Sequence, residues 1–187
     1  MISTIIFLCA VIIIYITNLF VFNGILSLWN ITWICFVAIL GMIAINGVIA
    51  IICCKLLPNK CFNPKFKIFQ PSKKECRIYE KLGIKKWKDK TAEYGRLNNF
   101  SKNKINEPNN PEYIKRFILE NNKGFLTHLL GAFISIPAIF IMPAKFWLPM
   151  ALPIALTSIL LNVIPLMILR YNMPRLNVLL KFAERNK

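Results

Sequence analysis

Before Lys55 the chain has no Lys, Arg, Asp or Glu at all. A segment that long without formal charge is stable only in lipid or inside a very large core, and 187 residues do not enclose such a core. Charge is nearly missing again from Phe125 to Leu169, where Lys145 is the one formally charged residue. Acidic residues are scarce throughout, 8 against 24 Lys and Arg, which leaves a formal net charge of +16. The sequence lacks a Gly-rich phosphate loop, a G-x-S-x-G elbow and an H-E-x-x-H helix, which removes the chemistries those motifs carry. Its 6 cysteines never fall at C-x-x-C spacing, so they read as packing residues and not as zinc ligands or disulfides. Nor does the start look like a cleaved signal peptide: it has no basic n-region and its apolar run is too long, so the first span is expected to stay.

What is present is two apolar blocks, each too long for one crossing of about 20 residues. Each is therefore expected to fold as a helical hairpin. Asn23-Gly24 and Trp29-Asn30 interrupt the first block, leaving spans near Ile2 to Phe22 and Trp33 to Cys54. Met142-Pro143-Ala144-Lys145 and Pro149 interrupt the second, leaving spans near Phe125 to Met142 and Leu148 to Leu169, with prolines 137, 153 and 165 as kinks. The fold expected is an all-α integral membrane protein with four transmembrane helices: a hairpin over residues 1–57, a basic segment over 58–123, a second hairpin over 124–169 and an amphipathic tail over 170–187.

From Lys55 to Lys123 there are 18 Lys and Arg against 7 Asp and Glu, and the opposite face has only Lys145. By the positive-inside rule the middle segment, the tail and both termini are cytoplasmic, in a multi-pass cell-membrane protein. The basic surplus is explained by topology and attraction to anionic headgroups, at about 1 kcal/mol per basic residue. Membrane lipids are the expected partners, and nucleic acid is not. The usage of 18 Lys to 6 Arg points to an AT-rich bacterial genome.

Within the middle segment, Lys55 to Gln70 alternates aromatics with lysines, as an interfacial stretch does. Ser72 and Gly83 bracket a short amphipathic helix carrying Cys76, Tyr79 and Leu82 on one side. Residues 98–110 read as a loop, and Pro111 opens a helix leading through Gly124 into the third span. Leu176, Leu179, Leu180 and Ala183 follow Pro174 at helical spacing, so Pro174 is expected to end the last transmembrane helix and re-aim the chain.

The sole histidine, His128, falls one turn into the third span. An ionisable group at membrane depth is expensive and faces a bundle interior or a wet cavity, and imidazole is the chain's one obvious general base. The plain alternative is a neutral hydrogen-bonding anchor. Asn46 and Asn162 lie about 12 Å from their cytoplasmic helix ends at 1.5 Å per residue, so they either converge with His128 on one cavity or serve as interhelical glue. Glu120 precedes His128 by two turns and reaches it only if Gly124 breaks the path.

Three segments carry a family resemblance. Arg170-Tyr171-Asn172-Met173-Pro174-Arg175-Leu176, Lys86-Trp87-Lys88-Asp89, and Ile118-Leu119-Glu120 followed by His128 together resemble the glycosyl-4,4′-diaponeurosporenoate acyltransferase family. The resemblance runs from about Phe62 to Arg185 and implies small bacterial membrane enzymes that esterify a fatty acyl chain onto the sugar of a glycosylated carotenoid. It places Glu80, Trp87, Lys88, Asp89, Glu120, His128, Asn172, Pro174 and Arg175 on family positions. Where the family carries a carboxylate three residues before the histidine and a tryptophan just after it, this chain has Phe125 and Leu129.

The resulting expectation is an O-acyltransferase with no bound cofactor and with acyl-CoA or acyl carrier protein as co-substrate. His128 is the candidate base, oriented by Glu120 or Asp89. Asn172 or Arg175 stabilises the oxyanion. Lys85, Lys86, Lys88, Arg170 and Arg175 meet carrier phosphates, while Glu80, Trp87, Asp89, Asn46 and Asn162 complete the substrate site. A covalent route through Cys53 or Cys54 is a variant. The rival is a non-enzymatic membrane subunit, or a small transport component, whose basic segment docks lipid or a partner protein.

Overall fold

The computed structural model describes residues 2–91 and 105–185. The described residues form helices and turns with no strand. Helix α1 is Ile2–Val21 and α2 is Leu28–Ile51, extended by a π-turn over Ile52–Leu56. Between α1 and α2 the chain turns at Gly24, whose φ of +73° is open to glycine at no steric cost. Ser27 caps α2 by accepting from the Asn30 amide, so Trp29 and Asn30 belong to the helix instead of interrupting it.

Three helices are long and apolar enough to cross a membrane: Ile2–Val21, Leu28–Leu56 and the stretch Ala144–Arg185. Their outward faces carry Phe20, Trp33, Leu40 and Leu148, all exposed. Such a surface is stable only in hydrocarbon. The expected third span, Phe125 to Met142, is not a single α-helix. It is the last part of α5 (Pro111–Ile134), followed by a 3₁₀ turn over Pro137–Ile141. Pro137 has no N–H to continue the α ladder, and the first half of α5 is polar, so no long apolar helix results.

The basic segment begins with 3₁₀ turns at Asn59–Phe62 and Lys67–Phe69. It continues through α3 (Lys73–Lys81) and the short α4 (Ile84–Trp87). Ser72 accepts from the Glu75 amide as N-cap, and Gly83 ends the turn after α3 with φ +66°. Tyr79 faces inward as the helix pattern suggests, whereas Leu82 is exposed. Of the expected 98–110 loop, residues 98–104 lie outside the described residues.

Helix α6 runs unbroken from Leu152 to Arg185, with Pro165 and Pro174 inside it. The expectation that Pro174 ends this helix is therefore overturned. Packing holds the last turns in line: Met173 and Leu176 are buried against Ile114, Phe117 and Ile118 of α5, and Tyr171 against Tyr79 and Ile84. Burial of side chains that size, about 1.5–3 kcal/mol each, offsets the roughly 3 kcal/mol a proline costs in a helix interior. Helices α5 and α6 pair antiparallel, Ile114 near Leu176 and Phe125 near Leu169. At the far end α1 joins them, with Phe22 and Phe146 rings 5.1 Å apart.

Candidate functional site

On α5, His128, Gly131 and Ser135 recur at intervals of three and four and so share one face. On α6, Ser158 and Asn162 are one turn apart, and Asn46 of α2 closes the triangle. The His128 Nδ1 lies 3.0 Å from Asn162 Oδ1. Asn162 Nδ2 donates to Asn46 Oδ1 at 2.9 Å and to the Ser158 carbonyl at 2.9 Å. Asn46 Nδ2 donates to the Met42 carbonyl at 2.9 Å and to Ser158 Oγ at 3.1 Å. Ser135 Oγ lies 2.8 Å from Ser158 Oγ and 2.7 Å from the Gly131 carbonyl. These bonds link α2, α5 and α6 into one polar layer within an otherwise apolar bundle, where an unsatisfied polar group would cost several kcal/mol.

Room for that layer comes from Gly131. A Cβ there would stand 2.6 Å from Asn46 Oδ1 and 2.7 Å from Asn162 Oδ1, inside contact distance of both.

The polar layer opens into a cavity of about 980 Å³. Its α6 wall runs from Ile154 to Asn172, about 27 Å of helix at 1.5 Å per residue. One end is apolar, bounded by Val11, Ile14, Ile39 and Ile154; the other carries Lys88, Asp89, Thr91, Asn121 and Asn172. Lys88 Nζ pairs with Asp89 Oδ1 at 2.6 Å at this polar end.

Six of the residues expected from the sequence thus line one cavity: Asn46, Lys88, Asp89, His128, Asn162 and Asn172. The others lie outside its lining. Glu80 pairs with Lys85 at 3.5 Å on the surface, and Lys86 is exposed. Trp87 donates its indole N–H to the Leu82 carbonyl and packs on the Tyr79–Ile84–Tyr171 cluster. Gly124 does not break α5, so Glu120 stays two turns from His128 along the helix; it is buried with Lys123 at 3.2 Å. Because α6 continues past Pro174, Arg175 does not turn back. It bonds the Tyr171 hydroxyl at 2.8 Å and stacks on that ring at 4.7 Å.

Arg170, expected to meet phosphate, is engaged within the protein. Its Nε reaches Glu75 Oε1 at 2.7 Å and its Nη2 reaches Glu75 Oε2 at 2.5 Å, while Nη1 donates to the Ile68 carbonyl. Its guanidinium lies 5.1 Å from the Phe125 ring, so that aromatic faces a cation. The hydrogen bond from Arg170 is the largest influence holding the Glu75 carboxyl below the usual carboxylate range. Burial, with Glu75 as acceptor, pushes the Tyr79 hydroxyl upward.

Sequence reasoning missed Ser135, Ser158, Gly131 and Glu75. Ser158 lies four residues before Asn162, and Gly131 and Ser135 extend the His128 face, so the stripe was there to find. For Glu75 no local signal exists, because its partner is 95 positions away.

Apolar helices long enough to cross a membrane, around a long cavity lined by amides and one imidazole, define a small membrane protein with an internal pocket. The chain belongs to the glycosyl-4,4′-diaponeurosporenoate acyltransferase family, whose model matches residues 58–182. That family name carries an acyltransferase activity. No curated protein and no solved structure matches the chain.

Proposed function

We propose that this protein is a membrane-embedded O-acyltransferase. It moves a fatty acyl chain from a thioester donor to a hydroxyl of a lipid-linked, glycosylated isoprenoid acceptor at the cytoplasmic face. The observation that carries this reading is the cavity's polarity gradient: an apolar end for an acyl chain, His128 beside its polar layer, and a charged end at Lys88. Donor and acceptor are both amphipathic, and each matches such a gradient.

In the reaction, His128 takes the proton of the acceptor hydroxyl as its oxygen attacks the thioester carbonyl carbon. The Asn172 amide lies about 15 Å along α6 from Asn162, the residue that His128 touches, too far to meet the oxyanion, so it serves the charged end of the cavity where the carrier binds. Collapse of the tetrahedral intermediate breaks the C–S bond, and the departing thiolate takes the proton from His128. Ester and free thiol are the products, with no external oxidant or reductant. Lys85, Lys86 and Lys88 supply cationic partners for the phosphates of acyl-CoA or acyl carrier protein. This reading includes four membrane crossings, with the basic segment and both termini on the cytoplasmic side. Its support is the charge asymmetry of the sequence.

The test is transfer of a labelled acyl chain from acyl-CoA or acyl carrier protein to a glycosylated carotenoid acid by protein reconstituted in vesicles. Labelled ester from wild type and none from His128→Ala is the expected result. Ester formation by His128→Ala at the wild-type rate refutes the base assignment. Absence of product with either donor shifts the reading to the non-enzymatic subunit.

A further inference from the structure

We propose that Asn162 is the positioning residue of His128, holding the imidazole in the Nδ1–H tautomer so that Nε2 keeps its lone pair. Amide groups are ambiguous in orientation unless a partner of fixed character decides which end is nitrogen. Here a backbone carbonyl, which can only accept, decides for each amide. The Asn162 atom 2.9 Å from the Ser158 carbonyl must be nitrogen, so the atom 3.0 Å from His128 Nδ1 is oxygen. The Asn46 atom 2.9 Å from the Met42 carbonyl must likewise be nitrogen, which turns its oxygen to Asn162 Nδ2 at 2.9 Å. Reversing Asn46 would set nitrogen against nitrogen at Asn46–Asn162, reversing Asn162 would set oxygen against oxygen there, and either reversal would turn an amide oxygen onto a backbone carbonyl oxygen.

An amide oxygen facing a ring nitrogen requires a proton on that nitrogen. Nδ1 is therefore the donor, and in the neutral ring Nε2 is the acceptor. The carbonyls of Met42 and Ser158 each belong to the helical turn before the amide they orient, so the arrangement is built into α2 and α6. Gly131 leaves both amide oxygens the space to stand there. Asn162 thus acts through His128 instead of on substrate.

The tautomer assignment stands on geometry alone, while its catalytic consequence rests on the acyl-transfer reading above. Because the chain holds 1 histidine, uniform ¹⁵N-histidine labelling reports this site without overlap. In bilayers at about pH 8.5, two units above the ordinary imidazole pKa of about 6.5, ¹⁵N resonances of wild-type protein should show Nδ1 protonated and Nε2 bare. A dominant Nε2–H form overturns the proposal. Asn162→Leu should move the population toward Nε2–H and lower the transfer turnover about 100-fold, with KM for the acyl donor little changed. An unchanged tautomer in Asn162→Leu overturns the proposal as well. Asn162→Asp keeps an oxygen acceptor and should restore the Nδ1–H form while raising the pH at which the ring titrates, since a nearby carboxylate favours imidazolium. If the wild-type tautomer is as expected but His128→Gln transfers acyl groups at full rate, the acyl-transfer base falls and the positioning of the ring stands.

Discussion

Arg170 of α6 and Glu75 of α3 are joined at two points, Nε to Oε1 at 2.7 Å and Nη2 to Oε2 at 2.5 Å, and this pair fastens α3 to the long apolar helix α6. The sequence motif around Arg170 reads as phosphate recognition; the geometry makes it a clamp. Its parallel fork is a geometry that lysine cannot reproduce. Both side chains are mostly buried, so the pair is better screened from water than a surface ion pair.

The clamp has a pH signature. The folded-state pKa of Glu75 is depressed below the unfolded carboxylate value of about 4.3. Its contribution is thus fully present above that unfolded value and is lost as pH falls through the lower folded value. Thermal melts in detergent should show wild type losing stability below about pH 4, and Glu75→Gln should lose less over that interval. At neutral pH Glu75→Gln should be about 2 kcal/mol less stable, the scale of a charge-assisted hydrogen bond. Equal acid sensitivity in the two proteins would exclude the clamp as its source.

His128→Ala should abolish acyl transfer while leaving insertion intact, with some loss of melting temperature because Asn162 Oδ1 loses its partner. His128→Gln retains hydrogen bonding but cannot shuttle a proton near neutral pH, and its turnover should fall by a factor of about 10²–10⁴. Initial rates over a range of acyl-donor concentrations check this, with the loss expected in kcat.

Gly131→Ala adds one methyl-sized group where two amide oxygens already stand, 2.6 and 2.7 Å from the new Cβ. Those amides are pinned by backbone carbonyls and cannot retreat without breaking their bonds. The variant should be destabilised by about 1–3 kcal/mol, the cost of overpacking or of an unmade buried hydrogen bond. Because Asn162 faces His128, Gly131→Ala should also slow transfer, whereas Ala132→Gly, one residue further along α5, should leave transfer unchanged. Melting and turnover measured together test both statements.

Much of the arrangement was legible in the residues. Lack of charge before Lys55 exposes the apolar helices, and Ser72 with Gly83 delimits α3 nearly to the residue. Depth counted from helix ends put Asn46 and Asn162 at one level, and they bond each other, whereas the count left His128 nearer the boundary although it bonds Asn162. The break after α5 and the continuity of α6 were harder to read because both turn on proline. Pro137 coincides with a change to 3₁₀ geometry, whereas Pro174 is held in line by Met173 and Leu176 packing on a helix some 55 positions away in sequence. Local rules weigh the missing N–H equally in both cases; tertiary burial decides the outcome.

Topology is checked by sulfhydryl labelling in a cysteine-free background. Cysteine placed at Lys145 should react with an impermeant reagent in intact cells, and cysteine at Lys73 or Lys181 only after permeabilisation. Reaction at Lys73 from outside would refute the four-crossing arrangement.

A different proline provides the sharpest stability test. Pro153 has no N–H to offer the carbonyl of Pro149, one turn earlier, and at membrane depth no water replaces it. Asn18, fully buried on α1, donates Nδ2 to that carbonyl at 2.8 Å and to its own Ile14 carbonyl at 2.8 Å. One side chain therefore supplies the donor that the proline in another helix withholds. Asn18→Leu should cost about 1–3 kcal/mol, since it strands the Pro149 oxygen in an apolar setting. Pro153→Ala restores a backbone N–H that can reach a carbonyl in the preceding turn, so the loss should shrink when Asn18→Leu is made in the Pro153→Ala background. A double-mutant cycle on melting in detergent or bilayers measures this coupling, expected to exceed about 0.5 kcal/mol. Strict additivity would mean that Asn18 stabilises α1 alone and has no part in compensating the proline of its neighbour.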